Sequence, residues 1–452
     1  MLKKILIAAL MGLPGLVIPL VSTLEAATRE ASSLTAAERV ELLASFDQVW
    51  TTIRDKHWEA RPAGLDWPAV RDELRPKVES ASSLTEARGA MFEMIDRLGQ
   101  SHFSIIPSFV YEEMGLPDGE GSRDGSTGID VRAIAGSSVV VSVAERSPAA
   151  QAGVMPGWTV SRVGDTDVSA RLERLASEFE GSLYRDAVLA ASVLGPLSGP
   201  VGTDVEVLFL DGERRAVHLD LKLAAAEGRK ASVGFLPPFH VWIRTSRLEG
   251  NIGYVRFNMF LDPPRLMPVF NEAMQSFMDA DGIIVDLRGN PGGLPGMAMG
   301  MAGWLVSGKQ ERLGIMSMRD LEINVVVFPR ATTYAGPVAV LVDGLSGSAS
   351  ELFSGGLQGL GRAHVVGSRT MGAVLPSTIE KLPDGDGFQY AFANFVSSGG
   401  DVLEGRGVVP DLEVRPTREA LLDGRDPALE AAVDWIRNNP DRIESQAKES
   451  DR

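Results

Sequence analysis

Three serines spaced two apart, Ser346, Ser348 and Ser350, stand in the stretch LVDGLSGSASELFSGG, between an apolar run and a run with helical spacing. A turn of small residues at such a junction can expose a hydroxyl at the end of a strand. The first N–H groups of the following helix lack partners and carry the positive end of its dipole. That setting suits a nucleophile beside donors for a developing oxyanion. Serines at such junctions also serve as helix caps, and this segment alone leaves both roles open. A second turn, DLRGNPGG at 286–293, follows another apolar run, and it lacks the Gly-Lys-Ser/Thr ending of a phosphate loop. Five histidines, His57, His102, His218, His240 and His364, titrate near neutrality. With no cysteine there is no disulfide or thiolate. No His-Glu-x-x-His occurs, so neither a metal nor a cofactor is expected.

The elements that must position these groups fall into successive textures. Residues 1–27 open with Lys3 and Lys4, continue uncharged and mostly apolar over 5–21, and are interrupted by Pro14 and Pro19. They read as an export signal, giving a periplasmic or extracellular protein with no stable membrane span after cleavage. Over 35–98 apolar residues recur three and four apart, which predicts a helical domain, taken as 28–117, with Ser33 and Ser83 as N-caps. The Gly- and Pro-rich stretch 105–127 suggests a linker, with a domain ending near Pro117. Residues 118–224 are rich in short β-type runs, with a helical elaboration over 170–195. Over 225–440 strands alternate with helices, the pattern of a layered α/β domain, and 441–452 read as a disordered tail. The formal charge of −16 argues against a nucleic-acid partner.

In the β-rich part, the turn SPAAQAGV (147–154), Pro156-Gly157 leading into WTVSRVG, and the strand start Thr127-Gly128-Ile129-Asp130 resemble a PDZ domain. The resemblance implies that backbone N–H groups at Gly128 and Ile129 bind a peptide's C-terminal carboxylate while the peptide adds to the sheet edge as a strand.

Ser346-Gly347-Ser348-Ala349-Ser350-Glu351, followed by an apolar helix, resembles the nucleophile motif of the tail-specific (C-terminal processing) proteases, and DLRGNPGG resembles their second core turn. The resemblance implies Ser348 as nucleophile and Gly292, Gly293 and Ala349 as oxyanion-hole donors. Members with a Ser/Lys dyad carry the lysine 25 residues after the serine; here that position is Ala373. The tricorn-like branch uses a histidine instead, and Ser101-His102 in RLGQSHFSII matches its Ser-His pair. This similarity implies His102 as base, with Ser101 and a distant glutamate orienting it. Glu404, just before Gly407-Val408-Val409-Pro410-Asp411, is the glutamate it selects, whereas Glu351 and Asp411 read as structural acids. The implied fold is multi-domain α/β: a helical N-terminal region, a PDZ-like β domain and a crotonase/ClpP-like α/β spiral core. The implied activity is that of a serine endopeptidase acting on peptides or unfolded protein tails. The alternative is a non-catalytic binder of peptides or apolar ligands that has lost the lysine.

Overall fold

The computed structural model describes residues 33–108, 124–232, 234–235, 238–308 and 310–439. The expected export segment 1–27, the tail 441–452 and the boundary at 117/118 lie outside them. Among the described residues no helix is long and apolar enough to cross a membrane.

Three helices open the described chain: α1 (Ala36–Lys56), α2 (Trp67–Glu79) and α3 (Leu84–Asp96). Each begins after a side chain, Thr35, Asp66 or Ser83, that accepts a backbone N–H the helix cannot satisfy itself. The first cap is Thr35 rather than the expected Ser33. Thr35 stands three residues before Glu38 and closes a reciprocal capping box with it, which Ser33 cannot do. Leu42, Phe46, Val49 and Ile53, at helical spacing on α1, pack with residues of α2 and α3 into one core. That core also takes in Phe103, Ile105 and, from far along the chain, Leu375, Phe388 and Tyr390. The strand β1 (Ser104–Ile106) pairs with Gly387–Ala391, and the buried Arg88–Asp386 ion pair ties α3 to the same hairpin. The segment just after α3, which carries Ser101 and His102, is thereby fixed against the second half of the chain.

An antiparallel sheet follows, in the order β2 (Ile129–Ile134), β3 (Ser137–Val143), β4 (Thr159–Val163), β5 (Asp204–Leu210) and β6 (Ala216–Lys222), with β2 at an edge. Between β4 and β5 stand two helices, α4 (Val168–Glu178) and α5 (Arg185–Leu194), where an elaborated helical stretch was expected.

The last layer is a six-stranded sheet of β7 (Ile243–Leu248), β8 (Ile252–Phe257), β9 (Gly282–Asp286), β10 (Val338–Val342), β11 (His364–Gly367) and β12 (Leu412–Glu413). β7 is antiparallel to β8 and the rest run parallel. GIIVD and VAVLV, forming β9 and β10, are buried at every residue, as parallel strands covered on both faces must be. Alternation sends Ile283, Val285, Val338 and Val340 to the face under α6 (Pro263–Ser276), α7 (Pro295–Ala302) and α8 (Ala349–Gly359). It sends Ile284, Ala339 and Leu341 to the opposite face, under α9 (Pro427–Arg437). Ligands of such sheets bind beyond the carboxyl ends of the strands. Here the ends of β9 and β10 lead into the 286–293 and 343–348 turns.

Candidate active site

Neighbouring strands place the two turns side by side, and two of the three serines hold them together. Ser346 Oγ donates to Leu287 O (2.8 Å) and accepts from Asp343 N (3.0 Å). Ser350 Oγ donates to Asn290 O (2.8 Å), which also accepts from Gly347 N (3.1 Å). Both serines are fully buried, so Ser348, half-buried at the N-cap of α8, is the one of the three presented for chemistry. Its backbone, at φ 51° and ψ −116°, is one that side-chain-bearing residues rarely adopt, costing on the order of 1–3 kcal/mol. The Ser348 N–H, held between Ala373 O (2.8 Å) and Glu351 Oε2 (3.1 Å), retains that conformation.

The second turn crosses directly against Ser348. At Gly292 (φ 108°) a Cβ would lie 2.6 Å from Ser348 Cβ, 2.7 Å from Gly347 O and 2.8 Å from Ala349 N. Only a glycine lets the two backbones approach so closely. Among the described residues neither Gly293 N–H nor Ala349 N–H makes a hydrogen bond, and Ala349 opens α8, where a helix N–H has no internal partner. Gly292 N–H is already taken: it donates to Asn290 Oδ1 at 2.9 Å. Of the three expected donors, Gly292 is therefore engaged within the chain, and what Gly292 supplies is room. Sequence reasoning missed Asn290, which shapes this turn by also donating from Nδ2 to Phe257 O (3.0 Å). Its place inside DLRGNPGG is the signal that could have shown it.

His102, Ser101 and Glu404 meet although about three hundred residues separate the glutamate from the others. Glu404 grips Ser101 at both ends: Oε1 accepts from Ser101 N (2.7 Å) and Oε2 from Ser101 Oγ (2.8 Å). Ser101 Oγ also lies 2.8 Å from His102 Nδ1. A hydroxyl has one proton, and an ionised carboxylate can only accept. With Ser101 donating to Glu404, its oxygen must accept from Nδ1–H, and the lone pair of His102 is then on Nε2. Burial pushes His102 down to about 4, so the ring is neutral at pH 7, and burial raises the Glu404 carboxyl. Glu404 Oε2 also accepts from Val374 N (3.2 Å), next to the Ala373 whose carbonyl holds Ser348 N–H. The serine turn and the Glu404–Ser101–His102 chain thus share one segment, 373–374.

Residues 251–414 match the family model described as Peptidase family S41, and residues 39–96 match the one described as Tricorn protease C1 domain. Over 251–414 the core is similar to peptidase family S41. The chain is 24% identical over 418 residues to Tricorn protease homolog 1 of Streptomyces coelicolor, covering 86% of this chain and 34% of that protein. It is 27% identical to the Carboxy-terminal-processing protease of Bartonella bacilliformis, covering 68% and 64%. The chain therefore spans about a third of the first relative and less than two thirds of the second. In fold it is similar to mature CPAF (TM-score 0.59, 14% identity, 90% of this chain and 99% of that one). It is also similar to the photosystem II D1 C-terminal processing protease (TM-score 0.52, 21% identity, 87% and 99%).

In this core the absence of a lysine at 373 has a packing consequence. Ala373 is fully buried in an apolar cluster with Leu345, Met371 and Tyr184, the last from the connection between α4 and α5. The helical elaboration thus contributes to the packed cluster into which a long side chain at 373 would have to fit. Tyr184, which no sequence signal marked, also accepts from His102 N (3.4 Å), and burial raises its phenol. Ala373→Lys is accordingly expected to lower the urea midpoint by an amount equivalent to about 1–3 kcal/mol, as overpacked cores do, and to add no activity. Denaturation curves with a peptidase assay check this; a stable, more active variant would contradict it. Glu351 is structural in the way expected: its buried carboxylate accepts from Thr370 Oγ1, Gly372 N and Ala373 N as well as Ser348 N, while burial pushes it up to about 7. Asp411, accepting from Val365 N (2.7 Å), likewise holds a loop to the sheet.

Proposed function

We propose that the chain is a serine endopeptidase of the tail-specific type in which Ser348 attacks a peptide carbonyl. His102 Nε2 takes the serine proton and returns it to the leaving amine, as general base and then acid. Glu404 and Ser101 hold His102 in the tautomer that leaves Nε2 free. Gly293 and Ala349 N–H groups face the developing oxyanion. The observation that carries this is the hydrogen-bonded chain Glu404–Ser101–His102, meeting at 373–374 the segment that holds Ser348. No metal or cofactor enters the mechanism.

The β2–β6 sheet is read as PDZ-like, with protein tails added as a strand along the open edge of β2. A groove of about 900 Å³ runs beside it, lined by Gly128, Ile129, Arg146, Trp242 and Arg244 among others. Gly128 N–H donates to Ser126 Oγ (3.0 Å), so the donor expected of Gly128 is engaged within the chain. What Gly128 supplies is space, since a Cβ there would lie 2.2 Å from Ser147 Cβ. Export to a periplasmic or extracellular place is part of the same reading and rests on residues 1–27.

The test is reaction of the purified protein with a fluorophosphonate and cleavage of an unfolded protein, beside Ser348→Ala. Labelling and cleavage are expected in the wild type and absent from the variant. A wild type that neither labels nor cleaves turns the protein into a binder.

A further inference from the structure

Arg132, on the edge strand β2, reaches out of its own sheet to the turns of the S41 core. Its Nε donates to Asp343 Oδ2 (2.9 Å), and Nη2 lies 2.8 Å from the same oxygen. Nη1 donates to Asp130 Oδ1 (2.7 Å) and to Val131 O (2.9 Å), which fixes the guanidinium on β2. The pair is largely withdrawn from water, with side-chain exposures of 14% and 16%.

Asp343 is the first residue after β10 and leads the turn into Ser348. Its other oxygen, Oδ1, accepts from Leu345 N in that turn (3.0 Å) and from Gly289 N in the glycine turn (2.9 Å). One carboxylate therefore ties together the two backbones that carry Ser348, Ala349 and Gly293. Arg132 also occupies the space left by Gly289, where a Cβ would stand 3.0 Å from Nη2. Asp343 is held below the usual carboxylate range by Arg132 and these N–H donors, against its burial.

We propose that Arg132 is a positioning residue: through Asp343 it sets the nucleophile turn and the oxyanion turn in register, so that the edge strand of the β2–β6 sheet is part of what builds the active site. The inference rests on the serine-peptidase reading. The guanidinium fork matches a carboxylate oxygen in a way a flexible lysine ammonium does not, and a displacement of about 1 Å in reacting groups can cost on the order of a hundredfold in rate.

The experiment compares wild type, Arg132→Gln, Asp343→Asn and the double variant in the full chain. It reads the fluorophosphonate labelling rate, kcat and KM for a short peptide, and hydrogen exchange at Gly289 and Leu345 N–H. Each single variant is expected to lower the labelling rate and kcat by about ten- to a hundredfold, with KM within about twofold. Both amides should exchange faster, and the double variant should be no worse than the poorer single, as for residues acting as one unit. If Arg132→Gln does not fold, Arg132→Lys carries the same comparison, with a smaller loss expected. A variant with unchanged labelling and exchange overturns the inference, as does a double variant whose losses multiply. A wild type that does not label defeats the peptidase reading, and the exchange rates at Gly289 and Leu345 then still decide whether Arg132 holds the two turns.

Discussion

His102→Asn protein is expected to lose about 10²–10⁴ in kcat/KM while keeping its fold, because a general base contributes on that scale. Asparagine is the informative replacement. His102 has φ 61°, a left-handed backbone that asparagine also tolerates, so the variant removes the basic nitrogen without adding strain. The wild-type pH profile should carry the same signature. Only the neutral ring can accept the serine proton. Glu351, pushed up to about 7, titrates in wild type and variant alike, whereas burial holds His102 near 4, so the limb His102 itself adds to kcat/KM should lie well below the ordinary histidine value of about 6.5, as pH approaches 4. In the asparagine variant the residual rate should lack that limb. A limb near 4 that persists in the asparagine variant, or His102→Asn activity within tenfold of wild type, would remove His102 from the role of base.

Much of this constellation was legible because its parts sit in compact local patterns. The apolar runs GIIVD and VAVLV announce strands buried on both faces, and the small residues after each announce turns, so both catalytic turns could be placed from neighbouring residues. Ser101-His102 and Glu404 were legible only through motif resemblance. Nothing within about three hundred intervening residues says that a glutamate will grip that particular serine. Hydrogen-bond allocation was not legible at all. Gly292 and Gly128 both looked like donors, yet each N–H is consumed by a side chain two residues away, Asn290 or Ser126. Such capture depends on turn conformation, which glycine-rich sequence leaves open. Tyr184 and Arg132 were invisible for a different reason. Each belongs to the β2–β6 sheet layer by sequence and to the active site by contact, and only the docking of the two layers brings them there.

Docking also bears on which base the core can use. In a lysine-dependent site the residue at 373 must reach the nucleophile from a cavity with room for four methylenes and a charge. Here Ala373 is buried in the same cluster as Tyr184, Leu345 and Met371, and a lysine side chain would overpack it. In the proposed mechanism the base comes instead from the end of the helical layer, where the Arg88–Asp386 pair and the β1 pairing have already fixed the Ser101-His102 segment. On that proposal the alanine at 373 is the packing counterpart of the histidine at 102, which supplies a base without the lysine.

Gly292→Ala should be as damaging as loss of the base, although it removes no functional group. The added methyl carbon would fall 2.6 Å from Ser348 Cβ and 2.8 Å from Ala349 N, well inside contact distance for carbon and nitrogen. Relief requires the two turns to separate, and separation moves Gly293 N–H and Ala349 N–H away from a common oxyanion position. Loss of one such donor costs about 10²–10³ in kcat, so losing the alignment of both should cost at least that. The residue also has φ 108°, so alanine is strained there even before the contact. Gly296→Ala is the matched control: it lies four residues on, in α7, and a Cβ there meets nothing within 4 Å. Fluorophosphonate labelling rates of the two variants, read with melting curves and tail-peptide binding to β2, separate a damaged site from an unfolded chain. The expected pattern is a Gly292→Ala protein that still melts cooperatively and binds the peptide but labels at least a hundredfold more slowly, beside a Gly296→Ala protein that labels like wild type. Equal labelling by both would mean that the oxyanion donors do not lie where the two turns cross.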